Sequence, residues 1–330
     1  MAGFSLIELM IAMTLGMLIV SVTMFVFFNA SASRNEVERT SRQIENGRYA
    51  TEVIADDLRL AGFYGELKVA AIAAPGALPA DQCSLDAANW NAWIPLHVQG
   101  FDNGAGFDKT STAGCALADH KTNTDILLIR RARTCLATAT DCGAPATGTP
   151  YVQVSLCATE TTSHKLGLQG TATFDLKKKA CGTTVADLRQ YYVRIYYIGT
   201  NNGSGQNIPT LKRLELAGTG CAGTPPCWIT TPMVEGIEEL NVVYGVDGNN
   251  DGAPENYVAS PASVADWMNA MSVQFHVLAR NPEPSPGYIQ SKTYNLGLGT
   301  APITVADGYR RHVYSSLVRI NNPAGRREVP

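Results

Sequence analysis

Asp247, Asn249 and Asp251 stand at alternate positions and are followed by Gly252. In such a D-x-N-x-D-G spacing, side-chain oxygens can converge on a hard cation while the glycine permits the sharp turn. Glu255 falls at the ninth position of a calcium loop of this kind, but Val258 occupies the twelfth, where a bidentate acid belongs. No helical pattern leads into the loop, and Asn, Asp and Gly also build ordinary β-turns. Calcium held by Asp247, Asn249, Asp251 and Glu255 and a plain turn are both open readings. The second group with chemistry is the cysteines: Cys83, Cys115, Cys135, Cys142, Cys157, Cys181, Cys221 and Cys227. They form no C-x-x-C and no Cys/His cluster at zinc spacing, so metal ligation explains the even count poorly. Disulfides explain it better and place this part of the chain in an oxidising compartment, periplasmic or extracellular. Proximity in sequence suggests Cys83 with Cys115, Cys135 with Cys142, Cys157 with Cys181 and Cys221 with Cys227.

Catalytic constellations are missing. The sequence has no G-x-S-x-G, no H-E-x-x-H, no phosphate-binding G-x-x-x-x-G-K-[ST] and no dinucleotide fingerprint. His97, His120, His164, His276 and His312 are scattered, without an evident acidic or cysteine companion. No enzyme activity and no resident cofactor other than the open calcium reading are expected. A net charge of −3 with 17% charged residues offers no strong field for nucleic acid, and none is expected as a partner.

Glu8 is notable for being out of place. Residues 9–28 carry no charge, and a helix rising 1.5 Å per residue over such a length covers the roughly 30 Å hydrocarbon core of a bilayer. A carboxylate in an otherwise apolar span costs about 2.5–3.5 kcal/mol even on lenient insertion scales and needs a partner. Nothing nearby in the chain offers it a partner. The segment also differs from a secretory signal, since Met-Ala-Gly carries no basic residue and no small-residue cleavage site follows the apolar run.

The order Gly3-Phe4-Ser5-Leu6-Ile7-Glu8 ahead of a long apolar helix resembles the processing site of type IV prepilins. That resemblance implies cleavage by a prepilin peptidase between Gly3 and Phe4, methylation of the Phe4 amine and retention of the helix in the membrane. It also implies a partner for Glu8, the terminal amine of a neighbouring subunit, which makes the acid an assembly device. Two features depart from the family pattern. The leader lacks the usual Lys or Arg, so the positive-inside rule gives no orientation. Phe25 stands where major pilins usually carry a kinking proline, which favours a minor or pseudopilin subunit.

The elements that must carry these residues follow from periodicity. Between residues 37 and 61, Val37, Ile44, Gly47, Thr51, Ile54, Leu58 and Ala61 fall on one helical face. Glu38, Arg42, Glu45, Arg48, Glu52, Asp56 and Arg59 fall on the other, a solvated face with pairs such as Glu38 with Arg42. One helix about 85 Å long therefore continues the span. Thirty glycines and seventeen prolines indicate a loop-rich, mainly β body beyond it.

Residues 63–122 read as irregular, with Trp90 and Trp93 as buried ends of a long loop. Residues 125–130 read as a buried strand and 151–156 as a half-buried one. Residues 191–198 and 211–216 read as a hairpin with a long flexible tip around Gly203. Its tyrosines suggest cross-strand packing more than a stacking platform for sugars or bases. Lys177, Lys178 and Lys179 read as a solvated turn. Residues 233–244 read as a strand, a short helical turn surrounds Trp267, and strands follow at 272–280, 288–298 and 310–320. The tail to Pro330 is expected to be mobile.

The order of Gly236-Ile237-Glu238-Glu239-Leu240, Tyr244-Gly245-Val246-Asp247 with its loop, Trp267 before a strand ending in Arg280, and the closing 311–321 strand resembles PilW-type minor pilins. The resemblance implies an α+β, type IV pilin-like fold: a long N-terminal α-helix packed on a mainly antiparallel β, disulfide-rich body. The corresponding division is a leader at 1–3, a membrane and filament-core helix at 4–28, its amphipathic continuation at 29–62 and a periplasmic body at 63–330. The function it implies is that of a minor pilin that helps initiate pilus assembly and stays at or near the tip. Implied partners are other minor pilins, the major pilin, the prepilin peptidase and the inner-membrane assembly platform. A J-type pseudopilin of type II secretion and a tip adhesin or ligand-binding module are the alternatives.

Overall fold

The computed structural model describes residues 5–108, 115–298 and 300–328, with only the backbone of Gln290. Ser5 caps α1 (Leu6–Arg59), and no proline interrupts it, so the helix runs for 54 residues, about 80 Å. The body then folds into two antiparallel sheets and a hairpin. The first sheet holds β1 (Val98–Phe101), β2 (Ile126–Ala132), β3 (Pro150–Val154), β4 (His164–Leu168), β5 (Leu188–Gly199), β6 (Thr210–Ala217) and β7 (Cys227–Glu235). The 12-residue β5 is its spine, pairing with β2 on one edge and with β3 and then β6 along the other.

The second sheet has the order β13–β10–β8–β9, from β8 (Ile237–Val246), β9 (Asn256–Val258), β10 (Ala270–Arg280) and β13 (Arg311–Arg319). Between β10 and β13 the hairpin β11 (Gln290–Tyr294) and β12 (Ile303–Asp307) packs Tyr294, Leu296 and Ile303 over Leu278. Three short helices complete the body: α2 (Ala87–Ala92), α3 (Val264–Met268) and α4 (Asn321–Gly325). One apolar core runs through both sheets and takes in Ala50, Ile54 and Leu58 of α1.

Several expectations from sequence needed correction. The strand read at 233–244 is two strands in two sheets, because Gly236 breaks it at φ +77°, and a Cβ there would lie 2.6 Å from the Arg280 carbonyl oxygen. β3 is buried on both faces, not half-buried. The irregular 63–122 stretch contributes α2 and β1. The tail is docked through residue 328: Ala324 is fully buried, Asn322 donates to the Ala61 carbonyl oxygen at 3.1 Å and Arg327 pairs with Asp247.

α1 lies across β13 and β10, and its buried face is rotated from the one that hydropathy suggests. Gln43, Gly47, Ala50, Ile54, Ala55, Asp57 and Leu58 are buried, whereas Val37 and Ile44 are exposed. Polar side chains win these places because the body supplies partners. Gln43 donates to the carbonyl oxygens of Ala279 and Arg310, at 2.9 and 3.0 Å. Gly47 allows the helix to approach β13, since a Cβ there would sit 2.1 Å from the Tyr314 ring.

Candidate assembly helix and the body that clamps it

The lower part of α1 is bare. Through residue 35 every described position is exposed, among them Leu6, Leu15, Phe25 and Phe28. This is the one helix among the described residues that is long and apolar enough to cross a membrane, by length and composition. The hydroxyls of its uncharged run 9–28 are satisfied within the helix: Thr14 donates to the Ile11 carbonyl, Ser21 to Met17 and Thr23 to Ile19. A membrane-spanning segment requires that economy, because lipid offers no replacement partner.

Gly3 and Phe4 lie outside the described residues. Glu8 is exposed at the start of the helix and is not without a local partner, contrary to expectation. Its carboxylate accepts from the Ser5 backbone N–H at 2.9 Å, and with the Ser5 side chain it forms a capping box. A negative charge here also complements the helix N-terminus. One backbone amide leaves the charge of the carboxylate in place.

From residue 36 upward the body grips the helix. Glu36 accepts from the Ser285 hydroxyl at 2.8 Å and pairs with Arg310, and Arg39 pairs with Glu283 at 3.0 Å. The Ser285 hydrogen bond, helped by Arg310, holds the Glu36 carboxyl below its ordinary range. Asn46 donates to the Glu235 carbonyl oxygen at 3.0 Å.

At the top of the helix Asp57 is the centre of a buried ionic knot. Arg131 reaches its Oδ1 through Nε and Nη2 at 2.9 and 2.7 Å, Arg194 reaches the same oxygen at 2.7 Å, and the Tyr196 hydroxyl donates to Oδ2 at 2.5 Å. Burial raises the Asp57 pKa, but the two guanidinium charges and the hydroxyl outweigh it and leave the carboxyl below its ordinary value. Glu215 completes the knot by pairing with Arg194. The opposite helix face is solvated as expected, with Glu38 paired to Arg42.

The Asp247 loop does bring Asp247, Asp251 and Glu255 together. Its oxygens have other uses, however. Asp247 Oδ1 accepts from the Asn250 amide at 2.6 Å, and Oδ2 accepts from the Gly252 amide at 2.9 Å and from Arg327 at 2.8 Å. Glu255 accepts from the Gly248 amide and Asn249 Oδ1 from the Asp251 amide. A guanidinium already supplies the positive charge, and the arrangement is that of a β-turn locked to the C-terminal tail.

The disulfides join Cys83 to Cys115, Cys135 to Cys142, Cys157 to Cys181 and Cys221 to Cys227, with Cα separations of 5.8, 5.9, 5.0 and 5.8 Å. These are the pairs that proximity suggests, and each staples one loop onto the sheets. Trp90 and Trp93 are buried, and Trp90 Nε1 donates to the Ser84 carbonyl at 2.7 Å. Tyr191, Tyr192, Tyr196 and Tyr197 are buried too, so they form no stacking platform. The hairpin tip is anchored rather than loose, because Asn202 is buried and donates to Gln206 and Glu235. His97 is a core residue: its Nε2 lies 2.7 Å from the Ala270 carbonyl oxygen, and burial pushes its pKa down to about 4.

The clamp is also where the chain can be compared with known families. Residues 195–322 match PilW, the type IV pilus-assembly protein W family. The match runs from β5 to α4 and covers the whole second sheet, which bears out the resemblance to PilW-type pilins drawn from the sequence. It supports a pilus-related structural pilin, and a pilus-assembly family implies contacts with other pilus components. Among solved structures, the chain is similar to a type IV-like pilin from Thermus thermophilus, at 19% identity over 54% of this chain and 86% of that one, with a TM-score of 0.23. None of the curated proteins matches this chain.

Proposed function

We propose that the chain is a minor pilin that helps to initiate assembly of a type IV pilus and remains at or near its tip. The observation that carries this reading is the division of one uninterrupted helix: apolar from residue 9 to 28, bare through residue 35, then clamped from residue 36 to a body that contains the PilW match. In this proposal residues 1–3 are a leader removed by a prepilin peptidase, Phe4 becomes the methylated first residue, and residues 4–28 hold the subunit in the inner membrane with its body in the periplasm. On assembly the same helix leaves lipid for a filament core, where neighbouring helices replace acyl chains.

Glu8 then exchanges a solvated or lipid-edge position for the terminal amine of a neighbouring subunit. The Ser5 capping bond holds the carboxylate at the helix start without neutralising it. Pairing two charges helps offset the desolvation of both and fixes the axial register. Val37 and Ile44, left exposed by the rotation of the helix, extend the apolar surface toward a sister helix. Other minor pilins, the major pilin and the assembly platform are the partners. The body is assigned no catalytic role, and with the tyrosine ladder buried an adhesin reading would have to rest on the Cys-tied loops.

The experiment is co-purification of the full chain with its sister minor pilins from detergent-solubilised membranes, alongside surface piliation. Glu8→Ala is expected to lose at least tenfold of the co-purified partners while the body keeps its melting temperature. Normal complexes and normal piliation with Glu8→Ala would remove the role assigned to the carboxylate.

A further inference from the structure

Consecutive residues of β2 face opposite sides of the sheet. Arg131, on the side of the helix, is neutralised by Asp57. Arg130, on the other side, is fully buried. Its guanidinium lies 5.4 Å from the centre of the Trp93 ring, and Nη1 donates to the Leu96 carbonyl oxygen at 3.0 Å. Its Nε and Nη2 have no acceptor. The groups that bear electrostatically on Arg130 are the hydroxyls of Tyr191 and Tyr64, with no carboxylate among them.

Those two hydroxyls are themselves fully buried and unpartnered. Arg130 pairs directly with Val193 in the β2–β5 ladder, so Tyr191 is its diagonal neighbour on the same face. Tyr64, which follows the end of α1, stacks on Tyr191 with ring centroids 6.3 Å apart. A second cation comes from the C-terminal tail, where Arg326 bears on Tyr64 and donates toward the Gly62 carbonyl oxygen. The cluster is therefore rich in unpartnered donors and positive charge and holds no carboxylate.

An arginine does not escape burial by losing its proton. A buried, unpaired charge costs several kcal/mol, and a protein keeps one only with a compensating charge. A water molecule would accept the free N–H groups but would leave the charge uncompensated. We infer that Arg130, Tyr64 and Tyr191 form a binding site for a small acceptor-only monovalent anion of the halide class, chloride under ordinary conditions. The anion accepts from Arg130 Nε and Nη2 and from the two hydroxyls. It ties the end of α1, β2 and β5 together on the face opposite the Asp57 knot. The helix is thus held by a protein carboxylate on one side and by a bound anion on the other.

The test uses the full chain in detergent. Crystals grown with bromide are expected to show an anomalous scatterer beside Arg130, between the Tyr64 and Tyr191 hydroxyls. The melting temperature at constant ionic strength is expected to rise saturably, by about 2 °C or more, when gluconate is replaced by chloride or bromide. Arg130→Met should abolish that dependence, and Tyr191→Phe should weaken it. Should Arg130→Met fail to fold, the bromide map of the unsubstituted chain and the Tyr191→Phe titration carry the test. An ordered water in place of bromide, or equal melting in gluconate and chloride, would overturn the inference.

Discussion

The two halves of α1 share one backbone and obey different physics. From residue 9 to 28 the helix presents apolar side chains on every side and spends its few hydroxyls on its own carbonyls. From residue 36 upward, the buried face is partly polar, with Gln43 and Asp57 among Gly47, Ala50, Ile54 and Leu58. A surface meant to move between lipid and protein must not depend on a particular polar partner, because every such partner would be lost in transit. A surface meant to stay attached to one body can depend on several. On the function proposed above, the lower half is interchangeable by composition, with Glu8 as the charged exception at its start, and the upper half is specific by hydrogen bonds.

The sharpest way to break this contrast is to substitute the same helix in its two halves. Asp57→Ala strands Arg131 beside an apolar methyl and leaves Arg194 with Glu215 alone, and removing one partner of a buried pair costs about 3–5 kcal/mol. Urea or thermal melting of the full chain in detergent should show that loss. Leu15→Ala in the same assay should leave the body unchanged, since nothing in the body touches residue 15. A body that melts equally early with both substitutions would contradict the division.

A smaller effect comes from pH. Asp57 is held below the ordinary carboxylate range, so its stabilisation is complete above the unfolded value near 4 and is lost as pH falls through its folded pKa. Glu239 and Asp125 act in the opposite sense. Burial raises Glu239 to about 7 despite Lys121, and burial raises Asp125 to about 6 despite the amides of Asn103 and Val242. For both, the folded state binds the proton more tightly, so stability declines as pH rises from roughly 4.5 through 7. Melting temperature should therefore peak in the mildly acidic range, with Glu239→Gln flattening the upper limb and Asp57→Asn the lower one. The smallest effect belongs to the solvated face: Arg42→Ala, which deletes an exposed pair with Glu38, should change stability by less than about 0.5 kcal/mol.

Much of this architecture is legible in residue order because it depends on local rules. An uncharged run of helical length, strands bounded by turns, and loops closed by neighbouring cysteines all declare themselves within a short window. The identity of the buried helix face does not. Val37 and Ile44 have the right hydropathy, but Gln43 and Asp57 are buried because Ala279, Arg310, Arg131 and Arg194 come from distant strands to meet them.

The same reason hid the function of Asp247, whose spacing suggests a cation ligand. Its decisive partner, Arg327, lies 80 residues away in a tail that composition alone marks as mobile. Gly236 was readable in principle as a strand break, since a glycine inside a β pattern signals a bend or a close approach. Arg130 left no such sign, because nothing in β2 shows which of two adjacent arginines finds a carboxylate.

Photo-crosslinking from the two halves of α1 tests the central claim most directly. A photoreactive residue replaces Leu15 in one variant and Ile54 in another, in cells with and without the pilus assembly machinery. At position 15 the adducts should change from lipid to other pilin helices when the machinery is present. At position 54 they should stay within the chain in both conditions. Adducts at position 15 that remain with lipid in assembling cells, or intermolecular adducts at position 54, would contradict one helix with an exchangeable lower half and a fixed upper one.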